Sequence, residues 1–196
     1  MNDTVGSVDI GELPARDRIL RTAHDLFYAE GIRATGVDRV IAESGVTKVT
    51  FYRHFPSKND LIVAYLALRH ERWMSWFTEA LTRHGGPSKG AQALTPTLAE
   101  WFDGAALGRF RGCAFLNGVG EMGPALSEVV EVTRGHKQDM TDAIAALLPS
   151  SRRRAKTAAA LALAVDGAIV QAQFAPNPAP VLKGFQLIVD AVLAAG

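Results

Sequence analysis

What this chain has little of narrows it before any motif is considered. It holds a single cysteine, Cys113, so an internal disulfide is impossible and nothing argues for an oxidising compartment. The opening "MNDTVGSVDIGELP" lacks the basic and apolar stretches of a secretory leader. No apolar run reaches the roughly 20 residues that span a bilayer. A cytoplasmic protein with no membrane partner is therefore expected. Excess charge is missing too: 21 Lys and Arg against 20 Asp and Glu leave a formal charge of +1, so any nucleic-acid role must rest on a local patch. The five histidines are scattered without ligand spacing, and no nucleophile turn or base partner is recognisable. No metal site, no cofactor and no catalytic residue is expected, and hence no enzyme. Period-two alternation bounded by turns, the mark of strands, is also absent.

What remains is helix. Hydrophobic residues make up 48% of 196 positions, enough for a real core. Pro14 suits a first helical position, Ile19, Leu20, Ala23, Leu26 and Phe27 recur at helical spacing, and Gly31 stops the run. A second short helix carries Val37, Val40 and Ile41 on one face, with Thr35 and Asp38 spaced as a capping box, and ends at Gly45. A third starts at Thr47 and must stop before Pro56. Ser57 and Asp60 form another cap-like pair, opening a long helix that "HGGPSKG" breaks. Further helices follow to the C-terminus, the last two separated by the proline-rich "APNPAP". The fold class is all-α, with about nine helices.

One absence is local. From Gly45 to Asn59 there is no carboxylate, while Lys48, Arg53, His54 and Lys58 alternate with Thr47, Thr50, Tyr52 and Ser57. On a helical wheel Phe51 and Phe55 share one face, suited to packing on the first two helices. Val49, Thr50 and Arg53 fall on the opposite face, flanked by Lys48, Tyr52 and His54. This is the pattern of a helix-turn-helix, whose second helix enters a major groove. There, Lys and Arg neutralise phosphates or contact guanine, and hydroxyls anchor the backbone. A merely solvated basic face on a helical hairpin gives the same pattern, and both readings stand on these residues alone.

The longer stretch "GIRATGVDRVIAESGVTKVTFYRHFPSKNDLIVAYL" resembles the N-terminal DNA-binding region of the tetracycline-repressor (TetR) family of transcriptional regulators. The resemblance runs from about Ala15 to Leu66. It includes the glycine ending helix 1, the threonine before helix 2, the Gly-Val turn, the Thr-x-Tyr-x-His-Phe core and the lysine opening helix 4. "RGCAFLNGVGEM" resembles a segment of the C-terminal domains of one subgroup. Carried over by position, the resemblance implies phosphate contacts from Thr35, Thr50, Tyr52, His54 and Lys58. It makes Lys48, Val49 and Arg53 candidates for base edges, and Thr47 belongs to the same DNA-facing set. Val49 stands where glycine is common in the family. The implied organisation is a flexible tail over residues 1–13, a DNA-binding domain over 14–60, and a ligand-binding and dimerisation domain over 61–196. The implied protein is a homodimeric repressor that binds a palindromic double-stranded operator and answers to a small-molecule effector.

Dimerisation has support from the residues. Val181, Leu182, Phe185, Ile188, Val189, Val192 and Leu193 form a wide apolar stripe, and the preceding helix offers Leu161, Val165, Ile169 and Ala172. Two such helices from each subunit make a four-helix bundle, although burial within the same chain accounts for such stripes equally well. For the effector, Trp73, Trp76, Phe77, Trp101, Phe102, Phe115, Met122 and Met140 are the aromatic and polarizable candidates, with Asn117, His136 and Gln171 as polar partners. Plain core is the alternative for each of them. "GVGEMG" over 118–123 matches the dinucleotide fingerprint only in letters, since no strand precedes it, and its glycines suit close helix packing or a bend. A helical protein-binding module and a small-molecule-binding enzyme without a DNA role are the rival classes.

Overall fold

The computed structural model describes residues 13–105 and 110–195, so the expected N-terminal tail, Leu13 apart, lies outside the described residues. Among these, no strand occurs and the helices are α1 (Ala15–Glu30), α2 (Val37–Ser44), α3 (Lys48–His54), α4 (Lys58–Arg83), a single turn α5 (Gly86–Lys89), α6 (Leu94–Ala105), α7 (Ala114–Met122), α8 (Ser127–Ala146), α9 (Arg154–Ala172) and α10 (Ala179–Ala194). Nine of them are seven residues or longer. Two compact units result among the described residues: a head of residues 13–71 and 114–133, and a body of 72–105, 110–113 and 134–195. Both α4 and α8 contribute residues to each unit.

In the head, α1 packs on α2 and α3, and Ile19, Ala23, Phe27, Val40, Phe51 and Phe55 are buried at its centre. Gly45, at φ +65°, takes the left-handed conformation that ends α2 and turns the chain into α3. Pro14 is the residue before the first helical one, one position earlier than expected. The predicted Ser57–Asp60 pair forms: the Ser57 hydroxyl lies 2.7 Å from the Asp60 carboxylate and accepts the Asp60 N–H at 3.2 Å. The predicted Thr35–Asp38 box does not. Gly36 is the N-cap of α2 without a side-chain bond. The Thr35 hydroxyl instead donates backward to the Gly31 carbonyl at 2.8 Å, because the side chain is fully buried under the turn. Spacing alone cannot tell these two uses of a threonine apart.

In the body, α9 packs along α10. Leu161, Val165 and Ile169 are buried, as are Phe185 and Val189, so of the two uses left open for the α9 stripe, burial within the chain is the one seen. Against the expectation that no apolar run reaches membrane length, α9 has 19 residues and a mean hydropathy of 1.3, enough by length and composition. Its buried stripe, and Asp166 paired to Lys137 of α8, are the features of a packed helix. Glu100 of α6 ties down the end of α4, accepting from Trp76 Nε1 at 3.2 Å, from Arg83 at 2.5 Å and pairing with His84 at 2.8 Å. Burial pushes this carboxyl up, but donation from Arg83, His84 and Trp76 outweighs it and holds Glu100 below the usual carboxylate range.

Two outcomes follow from these local contacts. The Thr47 hydroxyl accepts the Thr50 N–H at 3.2 Å as the N-cap of α3, so Thr47→Ala should cost about 1 kcal/mol in a denaturant titration. A depressed carboxyl stabilises above its ordinary pKa of about 4.3 and loses that contribution as pH falls through its folded value. Glu100→Gln should therefore flatten the stability profile on the acid side, by no more than about 0.5 kcal/mol for so exposed a group. Thermal melts between mildly acid and neutral pH measure this.

Candidate nucleic-acid interface

A seven-residue helix has too few internal bonds to persist alone in water, so what α3 presents depends on what anchors it. Phe51 is fully buried and Phe55 nearly so, with ring centroids 6.2 Å apart. Thr47 caps the other end. With its inner face held, α3 turns Lys48, Val49, Tyr52, Arg53 and His54 to solvent, with Thr50 half-buried between them. Val49 is 71% exposed and Tyr52 43%, an arrangement no water-facing helix needs, since an exposed valine gains nothing from solvent. Tyr52 leans edge-on against Phe51 at 5.2 Å between centroids, which aims its hydroxyl end away from the core.

The charges of this face are not equivalent. Lys48 lies 3.4 Å from Asp38 of α2, both side chains well exposed, a pairing of little net worth that a phosphate can replace. Asp38 thus brings a carboxylate to a surface whose own segment has none. Arg39 is taken up by Glu30 and Glu43. Donation to Glu30, then to Glu43, holds its guanidinium above the usual range. Arg53 and His54 form the basic last turn of α3, and neither pairs with a carboxylate among the described residues. Arg53 is thus the cation of this face most open to a new partner.

Two of the predicted contacts sit elsewhere. Thr35 is fully buried with its hydroxyl committed to Gly31, so a side-chain contact to phosphate would require that bond to open. Lys58 points inward, donating to the Ile32 carbonyl at 2.6 Å with its ammonium 5.9 Å from the Phe27 ring centroid. Burial lowers its pKa, the attraction of Glu121 partly opposing this. Arg16 was not singled out by sequence: its guanidinium lies 5.5 Å from the Phe55 ring centroid and is about half exposed. Only the packing of α1 on α3 places it there, and no spacing along the chain signals it.

Of the eleven residues named for a ligand, the nine besides Trp76 and Phe102 fall across both units. Phe115, Asn117 and Met122 belong to the head, the first buried and the others half-buried. In the body, Trp73 stacks on Phe77 at 4.5 Å, meets Trp101 edge-on at 5.8 Å and His136 edge-on at 5.0 Å. These four and Met140 are buried, while Gln171 is exposed. A separate cleft of about 470 Å³, bordered by Thr78, Leu81, Thr82, Pro87, Ala143 and Leu147, includes none of the nine. Among the described residues no group of three or more His, Cys, Asp or Glu could hold a metal. "GVGEMG" lies within and just after α7, not after a strand.

Known proteins sort these observations. The family model for bacterial regulatory proteins of the tetR family matches residues 19–65, which is α1 to the middle of α4. The chain is 30% identical over 89 residues to the HTH-type transcriptional regulator LmrA of Bacillus subtilis, covering 45% of this chain and 47% of that protein. It is 33% identical over 88 residues to the HTH-type transcriptional activator FasR of Mycolicibacterium smegmatis, covering 45% and 39%. The chain thus spans less than half the length of these curated relatives. The crystal structure of SCO4454, a TetR-family transcriptional regulator from Streptomyces coelicolor, is matched over 92% of this chain and 95% of that one, at 35% identity and a TM-score of 0.74. With head and body both matched at this identity, the chain belongs to the TetR family of bacterial regulatory proteins.

Proposed function

We propose that this protein is a sequence-specific DNA-binding transcriptional regulator of the cytoplasm. The observation that carries the proposal is the outer face of α3, where Lys48, Val49, Thr50, Tyr52, Arg53 and His54 stand on a helix pinned from behind by Phe51 and Phe55. In this reading Lys48, Val49 and Arg53 meet base edges, and Thr50, Tyr52 and His54 meet phosphates with Thr47 beside them. Thr35 and Lys58 would serve the backbone contact indirectly, by fixing the turn between α1 and α2. Within the head, residues 14–60 would be the DNA-binding domain, and 61–196 would hold the dimer and effector functions. No catalytic role is proposed.

A single head covers one half-site, so two are needed for a palindromic operator. The surface of α9 and α10 supports a homodimer. Leu163 (74% exposed) and Val170 line one side of α9, Phe174 is exposed just beyond its end, and Leu187 (70%) and Ile188 stand out from α10. Around Gly167 and Gly184 the space a Cβ would take is open. Isolated water-facing leucines need no explanation, but two adjacent helices carrying large apolar side chains between small residues suit a four-helix contact. This outward stripe replaces the inward one of Leu161, Val165 and Ile169.

The body's aromatic cluster at Trp73, Phe77, Trp101 and His136 is the proposed seat of a small apolar effector. Its binding and operator binding would be reciprocally antagonistic. Repression follows where the operator overlaps a promoter, and the same contacts upstream of one would permit activation.

Selection from a randomised duplex pool, followed by affinity measurements across salt concentrations, tests the central reading. An enriched palindrome whose binding weakens steeply with salt is expected. The Lys48→Ala/Arg53→Ala double variant should lose about 10-fold or more in affinity and show a shallower salt slope. A folded protein that enriches nothing would sink the proposal. For the dimer, Leu163→Lys with Phe174→Lys should yield a monomer by analytical ultracentrifugation, with operator affinity lost in parallel.

A further inference from the structure

The segment "GVGEMG" is left without a role once the dinucleotide reading is discarded, and its residues belong to the head. α7 approaches the turn between α1 and α2 closely. A Cβ on Gly118 would lie 3.8 Å from Ile32 Cδ1 and 3.8 Å from Leu66 Cδ2, ordinary contact distances that a longer side chain would overrun. One turn further on, Glu121 makes two bonds to a single residue 88 positions away. The Arg33 N–H donates to its carboxylate at 2.9 Å, and the Arg33 Nε–H donates to its backbone carbonyl at 2.6 Å.

Each bond answers a local need. The Glu121 carbonyl lies in the last turn of α7, where carbonyls have no partner within the helix and a cation is favoured. The Arg33 N–H lies in the turn between α1 and α2, outside either helix. Gly31 completes the fit: it ends α1 at φ +99°, and a Cβ there would come within 3.1 Å and 3.3 Å of the two Glu121 carboxylate oxygens. Lys58, at the start of α4, donates to the Ile32 carbonyl of the same turn. The turn from Gly31 to Gly36 is therefore held from α7 on one side and from α4 on the other. It sets where α2 begins, and α2 packs with α1 against α3.

We infer that Glu121 is a positioning residue for DNA recognition: by clasping Arg33 it locks the α1–α2 turn, so that α7 governs the pose of the recognition helix without touching DNA. This rests on the DNA-binding reading above. Because the clasp is near the surface and made of two exchangeable bonds, a small movement of α7 releases it. A buried apolar contact would not let go so readily. The clasp is thus a place where events elsewhere in the chain reach the operator-binding face.

The charge gives the test its sign. Removing Glu121's carboxylate makes each subunit more positive, and simple electrostatics then predicts tighter DNA binding. Positioning predicts the opposite. The full-length protein, Glu121→Ala and Glu121→Gln would be compared on the selected operator, with sedimentation and circular dichroism confirming a folded assembly. Expected are an affinity loss of about 5- to 10-fold for the alanine variant, substantial recovery in the glutamine variant, which keeps an acceptor for the Arg33 N–H, and faster hydrogen exchange across residues 31–37 in Glu121→Ala alone. Unchanged or tighter operator binding by Glu121→Ala, or exchange there that matches the parent, overturns the inference while leaving the regulator intact. A parent protein that selects no DNA overturns both.

Discussion

The seating of Phe51 is the constraint on which the rest of this molecule turns. α3 spans only seven residues, far short of the length at which a helix holds itself together. Its existence is a tertiary fact, secured by a ring with no exposure and a second, Phe55, one turn on. Once these rings are in place the helix cannot rotate without exposing them, and the direction of every other side chain on it follows. The chemistry of the outer face is thus dictated from the inner one. Val49 can be left in water, at some cost, because the burial of Phe51 more than compensates.

The electrostatics of the head show the same economy. Cations are plentiful on α1, α2 and α3, yet few are free to meet a polyanion. Arg39 is held by two carboxylates, Arg33 by α7, and Lys58 by a carbonyl and the face of Phe27. What remains on α3 is one cation in a weak exposed pairing, Lys48, and one with no carboxylate partner among the described residues, Arg53. A chain of nearly zero net charge can still carry a locally basic helix face, because most of its carboxylates lie elsewhere, as the two that hold Arg39 do. The body follows a different plan, with interlocked aromatic rings and one apolar helix pair that exposes Leu163, Val170, Leu187 and Ile188.

Much of this was legible along the chain. Helix ends are set by local chemistry, so Gly31, Gly45, Thr47 and the Ser57–Asp60 pair could be read from spacing, as could the opposed faces of α3. The misreadings have a common origin. Thr35 sits at cap spacing but turns its hydroxyl back to Gly31, since a buried turn offered a nearer acceptor than the helix ahead. Lys58, implied as a phosphate contact, donates in this structure to the Ile32 carbonyl, a partner that spacing does not reveal. On α9 the regular stripe of Leu161, Val165 and Ile169 left a subunit contact and burial within the chain equally open, since a helix apolar on several sides does not announce which side meets its own chain. For the aromatic residues of the body the pattern offered only candidates, and Phe77 proved to stack on Trp73 and Trp101 to meet that same ring edge-on, while Gln171 faces water.

By itself, then, the sequence determined the all-helical class, the helix-turn-helix and the residues on the outer face of α3. Those features depend on neighbours within one or two helical turns, where side-chain direction follows from backbone geometry. Tertiary structure alone decided which cations are already engaged, which stripe of α9 faces out, and that Glu121 meets Arg33 across 88 residues. Those outcomes depend on which surfaces the folded chain brings within hydrogen-bond reach, and no periodicity in the sequence encodes that distance.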